Sequence, residues 1–418
     1  MFAPSSHVCK KCANPSAITR DSTSLPRTER TATVWPNHPQ YAKLSPVRRH
    51  PDVTKASDDL VQPNILKLTP YVPGKPIEEV ERELGIKDII KMASNENPLG
   101  PSPLALKAMR EALKNVALYP DGSCYTLKRE MAKHWGVEPE NLIFGNGSDE
   151  LIHYIGVTFL GAGDEVIQAD PTFVRYQSAG VLNNCTVHNV PCKKLTHDLR
   201  AIEDRIDDCT KLIFIANPNN PTGTIVLQKD VDRLMERVPP RCIVVFDEAY
   251  YEYVEHPEFP QTIPLVKEGR NVIVLRTFSK IYALAGLRIG YGIARPKIIS
   301  YLEQVREPFN VNSVAQAGAI ASLKDPNQVN RARKANSQGR QYLCAQFDRM
   351  GLPYAPSEAN FVLVDVKRDC VPVFKELLQR GVITRTGDIF GLPTMLRVTI
   401  GTPSQNRRFI KALEEVLV

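Results

Sequence analysis

The stretch TFSKIYALAGLRIGY, residues 277–291, holds one lysine and one arginine, Lys280 and Arg288, and no acidic residue. A core segment avoids unpaired charge. A surface segment has no need of so much Ala, Leu and Gly. Three further stretches carry polar groups in equally odd company. NPNNPTG (217–223) follows the apolar run LIFIA, FDEAYYEY (246–253) follows IVV, and GNGSDE (145–150) follows LIF. Each has a plain structural reading when taken alone. Asn, Pro and Gly form turns, an Asp that ends a buried strand often caps a helix, GNGSDE can be a capped helix start, and a lysine can snorkel from an apolar surface. All four, however, stand directly after a strand-like run. In sheets built from alternating strands and helices, ligands bind in the loops beyond the carboxyl ends of the strands. Together the four stretches are candidates for one ligand site.

The elements that must position them are legible in the apolar pattern. Ala105, Ala108, Met109, Ala112, Leu113 and Val116 recur at helical spacing. Short apolar runs predict strands at Leu142–Phe144, Glu165–Ala169, Thr186–Val190, Leu212–Ala216, Cys242–Asp247 and Val272–Arg276. Helical patterns lie between them near 148–159, 173–182, 198–206 and 228–237. This alternation predicts an α/β domain with a mostly parallel sheet flanked by helices. The last 90 or so residues read as a smaller α+β domain: helix 327–349, strand Phe361–Asp365, helix 371–380, strand Leu396–Ile400, and a helix opened by a Thr402 cap and Pro403. The expected division is a tail (1–60), an N-terminal arm serving the small domain and the site (61–100), a large domain (101–310) and a small domain (311–418).

Composition narrows the class. The net charge of +7 is concentrated in residues 1–55, where nine Lys and Arg face three Asp and Glu. The body is nearly neutral, so no nucleic-acid face is expected. No run reaches the roughly 18 apolar residues of a membrane span. The tail is rich in Ser, Thr, Pro and Arg and reads as disordered, with a targeting presequence as the functional alternative. Its Cys9 and Cys12 form a CxxC pair with His7 nearby, but no second pair exists, so neither zinc nor another metal is expected. The odd total of nine cysteines argues against a disulfide framework.

The motifs resemble those of the fold-type I, pyridoxal-phosphate-dependent aminotransferases, and among them the histidinol-phosphate aminotransferase branch. The resemblance runs from about Leu68 to the C-terminus through PYVPGKPIEEVERELG (70–85), ASNENPLGPSP (93–103), YPDGSCYTL (119–127), GNGSDELI, PTF (171–173), NPNNPTG, DEAYYEY, TFSKIYALAGLRIGY, SEANFVLV (357–364) and LRVTIGT (396–402). It implies pyridoxal 5'-phosphate as cofactor. Lys280 would then be the amine that bonds to the cofactor and later carries the substrate's proton. Asp247 would sit against the pyridine nitrogen, Asn220 and Tyr250 against the phenolic oxygen, and Phe173 on the ring face. Ser148 and Asp149 would offer helix-start N–H groups to the cofactor phosphate, with Thr277, Ser279 and Arg288 completing the cradle.

For substrate, the same resemblance implies that Arg397 grips a carboxylate and that Arg385 is a second anion-binding arginine. Tyr71 and Asn95 are expected to cover the substrate. Tyr119 is expected to reach the cofactor phosphate of a neighbouring subunit, which makes a homodimer with a shared site. The implied partners are small molecules, histidinol phosphate and 2-oxoglutarate or glutamate, in a cytoplasmic enzyme of histidine biosynthesis, unless residues 1–55 direct it to an organelle. An aromatic amino-acid aminotransferase and a threonine-phosphate decarboxylase use the same fold and cofactor residues. A transcription regulator with an aminotransferase-like domain would need a helix-turn-helix segment, and the tail has no helical period to supply it.

Overall fold

A computed structural model describes residues 60–70 and 73–418. The tail with its CxxC pair, and Tyr71, lie outside the described residues. Residues 60–68 belong to a separate unit, in which Ile65–Lys67 form a single 3-10 turn. Residues 69–418 form the body.

Twelve strands are described in the body: β1 (Ile90–Lys91), β2 (Leu142–Gly145), β3 (Glu165–Asp170), β4 (Thr186–Pro191), β5 (Thr210–Ala216), β6 (Ile243–Asp247), β7 (Val272–Thr277), β8 (Gly290–Ala294), β9 (Phe361–Asp365), β10 (Val382–Ile383), β11 (Arg385–Thr386) and β12 (Met395–Thr399). The large sheet has the order β2-β8-β7-β6-β5-β3-β4. The pairs β4/β3, β3/β5, β5/β6 and β6/β7 are parallel, while β8 runs antiparallel to both β7 and β2. Each strand predicted in this region is present, and the helices Ser148–Phe159 and Gln228–Arg237 have the bounds that the periodicity gave. β8 is not among the predicted strands, because GYGIA is rich in glycine and continues directly from the loop of Arg288.

Both faces of this sheet are buried. On one face Ile213, Ile215, Val244, Phe246 and Val274 join a core with Leu127, Leu234 and Ile289. On the other, Leu212, Phe214, Val245, Ile273 and Leu275 pack with Leu151, Ile155 and Ile299. That is why these strands read as continuous apolar runs rather than alternating ones. The boundary expected at 310/311 falls inside the first core, which also takes in Val311, Ala315 and Ala319. A separate core gathers Val362, Val364, Leu396 and Val398 under Phe347, Phe409 and Leu413. It covers the antiparallel sheet β11-β12-β9. The final helix, Pro403–Leu417, starts with Thr402 and Gln405 in a reciprocal capping box.

One buried ion pair ties β6 to β7 where the loops begin. Arg276 donates from Nε and Nη2 to Glu248 Oε2 at 2.9 and 2.7 Å, and both side chains are 1% exposed. Thr262 donates to the other oxygen, Oε1, at 2.6 Å. The guanidinium lies between the rings of Trp135 and Tyr251, 4.1 and 3.4 Å from their centroids. Breaking a pair like this strands a charge in the core. Glu248 directly follows Asp247 and Arg276 directly precedes Thr277, so the pair fixes two of the loops that carry candidate site residues.

Candidate active site

A cavity of about 530 Å³ opens beyond the carboxyl ends of β5, β6 and β7. A volume of this size suits one cofactor with a small substrate. Its floor is Asp247, the last residue of β6 and 5% exposed. Asp247 Oδ2 accepts from Tyr176 Oη at 2.8 Å. The other oxygen, Oδ1, is buried and meets no donor in hydrogen-bond geometry among the described residues. Burial pushes this carboxyl up to about 6, against the pull of the Tyr176 hydrogen bond. Tyr176 is itself fixed by stacking on Phe214, with centroids 4.6 Å apart, and Phe173 meets it edge-on. Phe173 lines the cavity above the floor.

Lys280 enters from the loop after β7. Its amine donates to Ser94 O at 3.3 Å and lies 5.6 Å from the centroid of the Tyr250 ring. Burial lowers the amine to about 8, and the charge of Arg397 pushes the same way. A lysine whose proton is more easily lost than usual suits nucleophilic and proton-carrying roles.

One end of the cavity is built for an anion. The helix Ser148–Phe159 starts there, so the N–H groups of its first turn have no partner within the helix. Thr277, Ser279 and Arg288 line the same end. The Asp149 carboxylate, which would repel an anion, is held by Arg175 Nε at 2.7 Å. Gly147 sits at φ 79, and a Cβ there would lie 2.7 Å from Arg288 Nη2. Only glycine lets the guanidinium approach this helix start.

A second cationic end comes from the small domain. Arg385 on β11 and Arg397 on β12 are direct cross-strand partners, and both line the cavity. Like charges placed opposite one another destabilise a sheet, so the pair suits a shared anion. Arg397 donates from Nη1 to Asn220 Oδ1, and from Nη2 to Ala93 O at 2.7 Å. The guanidinium lies against the rings of Phe361 and Phe390.

With that geometry in view, the comparisons with known proteins are direct. The profile of the family Aminotransferase class I and II matches residues 87–413. The chain belongs to this family. It is 55% identical over 354 residues to a histidinol-phosphate aminotransferase of Moorella thermoacetica, covering 84% of this chain and 92% of that protein. It is 49% identical over 353 residues to the one of Caldicellulosiruptor saccharolyticus, covering 84% and 99%. The crystal structure of histidinol-phosphate aminotransferase from Sinorhizobium meliloti, in complex with pyridoxal-5'-phosphate, superposes with a TM-score of 0.80 at 28% identity, covering 87% and 98%.

In this aminotransferase, one cavity is lined by Asn95, Ser148, Asp149, Phe173, Asn220, Asp247, Tyr250, Thr277, Ser279, Lys280, Arg288, Arg385 and Arg397. Tyr119 is not among them. It is 84% exposed and stacks on Phe309. Tyr71 lies outside the described residues. Asn95 is 1% exposed, and its side-chain amide is engaged by Tyr250 and Thr399. Arg175 and Tyr176, the partners of Asp149 and Asp247, belong to none of the motifs. Their one signal is position, two and three residues past Phe173 on the helix that PTF opens.

The depressed Lys280 amine gives a testable consequence. A lowered lysine is neutral above its own midpoint, so in the apoprotein Lys280 should react with an acylating reagent with a midpoint near pH 8, against roughly 10.4 for an ordinary lysine. Peptide mapping across a pH series measures this, and Arg397→Ala should move the midpoint upward. A wild-type midpoint near 10 contradicts the buried, cation-flanked setting.

Proposed function

We propose that this aminotransferase uses pyridoxal 5'-phosphate to pass the amino group of glutamate to imidazole acetol phosphate, giving histidinol phosphate and 2-oxoglutarate in histidine biosynthesis. The observation that carries the reading is a single cavity with two separate cationic ends and the Lys280 amine between them. One anion site suits a cofactor phosphate, and the other suits a substrate carboxylate or phosphate ester. The relatives at about half identity support the choice of substrate.

The residues fit the cofactor. Asp247 Oδ1 needs a donor, and a protonated ring nitrogen supplies both the hydrogen bond and the opposite charge. Tyr250 and Asn220 would hold the phenolic oxygen, and Phe173 would cover the ring. The Ser148 and Asp149 N–H groups, with Thr277, Ser279 and Arg288, take the phosphate. When bound, the cofactor supplies an aldehyde carbon that takes up the amino group and a ring that withdraws electrons from the substrate's amino-bearing carbon. Lys280 would hold the cofactor through its amine and would carry the proton at that carbon. Asp247 keeps the ring nitrogen protonated. Arg397 and Arg385 orient the substrate by its anion, and Arg397 arrives already placed by Asn220 and Ala93 O. Tyr71 is assigned to the substrate side by resemblance alone.

Substrate choice is tested by kcat/KM for histidinol phosphate against phenylalanine and tyrosine. The phosphate ester should be preferred by about a hundredfold or more, and Arg385→Ala should harm it more than phenylalanine. A preference for phenylalanine overturns this assignment, and CO₂ release from threonine phosphate would point to a decarboxylase.

The working form is proposed to be a homodimer in which Tyr119 completes the partner's cofactor phosphate site. The run from Leu113 to Tyr125 leaves Leu113, Val116, Leu118, Tyr119 and Tyr125 exposed, an apolar surface of the kind that self-association covers. Mixing Lys280→Ala with Tyr119→Ala chains should restore activity above either parent, because one site in each hybrid is then intact. Failure to restore activity in verified hybrids argues against sharing. The enzyme is proposed to work in the cytoplasm. No nucleic acid, membrane or metal partner is proposed. Among the described residues no helix is long and apolar enough to cross a membrane, and no cluster of three or more His, Cys, Asp or Glu could hold a metal.

A further inference from the structure

Asn95 is held more tightly than covering a substrate would require. It is 1% exposed and sits at φ 58, in the left-handed region that asparagine tolerates better than most residues. Each of its four polar groups has a partner. Its backbone N–H donates to Thr399 Oγ1 at 2.9 Å, and its carbonyl accepts from Asn360 Nδ2 at 2.9 Å. Its side-chain Oδ1 accepts from Thr399 Oγ1 at 3.1 Å, and its Nδ2 donates to Tyr250 Oη at 2.9 Å. Thr399 decides which way the amide faces. Its oxygen accepts from the Asn95 backbone, and its own proton needs an acceptor, which Asn95 Oδ1 provides. Turned over, the amide would present two donors to the threonine and remove that acceptor.

The consequence falls on Tyr250. A phenol has one proton and two lone pairs. With Asn95 donating into one lone pair, Tyr250 cannot give its proton to Asn95 and keeps it for another acceptor. The Tyr250 side chain lines the cavity and is braced edge-on by Phe361, with centroids 5.2 Å apart. We propose that Asn95 is a positioning residue that, by donating to Tyr250 Oη, turns the tyrosine's proton toward the phenolic oxygen of the bound cofactor. This rests on the pyridoxal-phosphate reading above. The same brace reaches the substrate side, because Thr399 lies two residues from Arg397 on β12. The neighbouring residues bracket the reactive amine. Ser94 O accepts from Lys280, and Asn97 Nδ2 donates to Ile281 O at 2.8 Å.

A hydrogen bond donated to the cofactor's phenolic oxygen stabilises its negative charge. It thereby loosens the proton on the adjacent nitrogen, the one that Lys280 contributes. Losing that bond should make this proton harder to remove. In the purified holoenzyme, the pH midpoint of the visible absorption change should therefore rise by about half a unit to one unit in Asn95→Ala. Asn95→Asp offers Tyr250 an acceptor in place of a donor, and should shift the midpoint at least as far in the same direction. The other charged groups lining the cavity, Glu96, Asp149, Arg175, Asp247, Lys280, Arg288, Arg385 and Arg397, are unchanged in both variants.

The decisive comparison is a cycle with Tyr250→Phe. If Asn95 acts through Tyr250, adding Asn95→Ala to Tyr250→Phe should shift the midpoint no further. A purely structural asparagine would lower thermal stability and leave the midpoint where it is, which overturns the proposal, as does a full additional shift in the double variant. If Asn95→Ala does not fold, Thr399→Val removes the same orienting contact from the far side and should give the same upward shift; an unchanged midpoint there overturns the proposal too. A wild-type protein that forms no visible band with pyridoxal 5'-phosphate would instead sink the cofactor reading, and this inference with it.

Discussion

The site is organised around a carboxylate that the fold buries at the end of β6 and does not fully satisfy. Asp247 has one oxygen bound by Tyr176, while the other meets no donor in hydrogen-bond geometry among the described residues, and burial raises its protonation midpoint to about 6. Above that pH an empty cavity would hold an underpaired charge, which proteins avoid. Stability from this residue alone therefore falls as pH rises from its ordinary value toward 6 and stays reduced above. A cationic ligand with one N–H donor reverses that penalty. The ligand is thereby selected by charge and by direction before any other contact is made. Around this point the fold adds rigidity. The Arg276–Glu248 pair locks β6 to β7 one residue away from Asp247 and Thr277, and both flanking aromatics confine the guanidinium.

Two anion sites then divide the work. The helix start at Ser148 with Arg288 belongs entirely to the large sheet and its loops. Arg385 and Arg397 belong to the small antiparallel sheet. The segment Ala93–Asn97 joins them, because it contacts Arg397, Thr399, Tyr250 and Lys280 at once. Arg397 on β12 and Tyr250 are therefore both tied to this one segment, through Ala93 O and Asn95 Nδ2.

Much of this was legible in the residues. Parallel strands buried on both faces give unbroken apolar runs, so β2 to β7 and the helices between them stood out, and each candidate loop followed one. Thr402, Pro403 and Gln405 announced the last helix. Other features had no local signal. β8 pairs through backbone in a glycine-rich stretch. Arg385 and Arg397 are twelve residues apart in sequence and become neighbours only because the two-residue strand β11 pairs with β12. Tyr176 and Asn95 are ordinary residues whose importance lies in what folding brings against them. Asn95 was expected on the substrate, and its amide is instead spent on Tyr250 and Thr399. Tyr119 is exposed in the single chain and does not line the cavity.

The central claim is that Asp247 holds a cationic ring whose electron withdrawal drives amino transfer, and the most direct test follows the visible spectrum of the pyridoxal-phosphate-loaded protein as glutamate is added. The wild type should show a visible band that glutamate bleaches. Asp247→Ala should lose cofactor affinity and bleach slower by about a hundredfold or more, in line with removing one partner of a buried charge pair. Bleaching of Asp247→Ala at the wild-type rate, or a wild-type band indifferent to glutamate, would contradict the account.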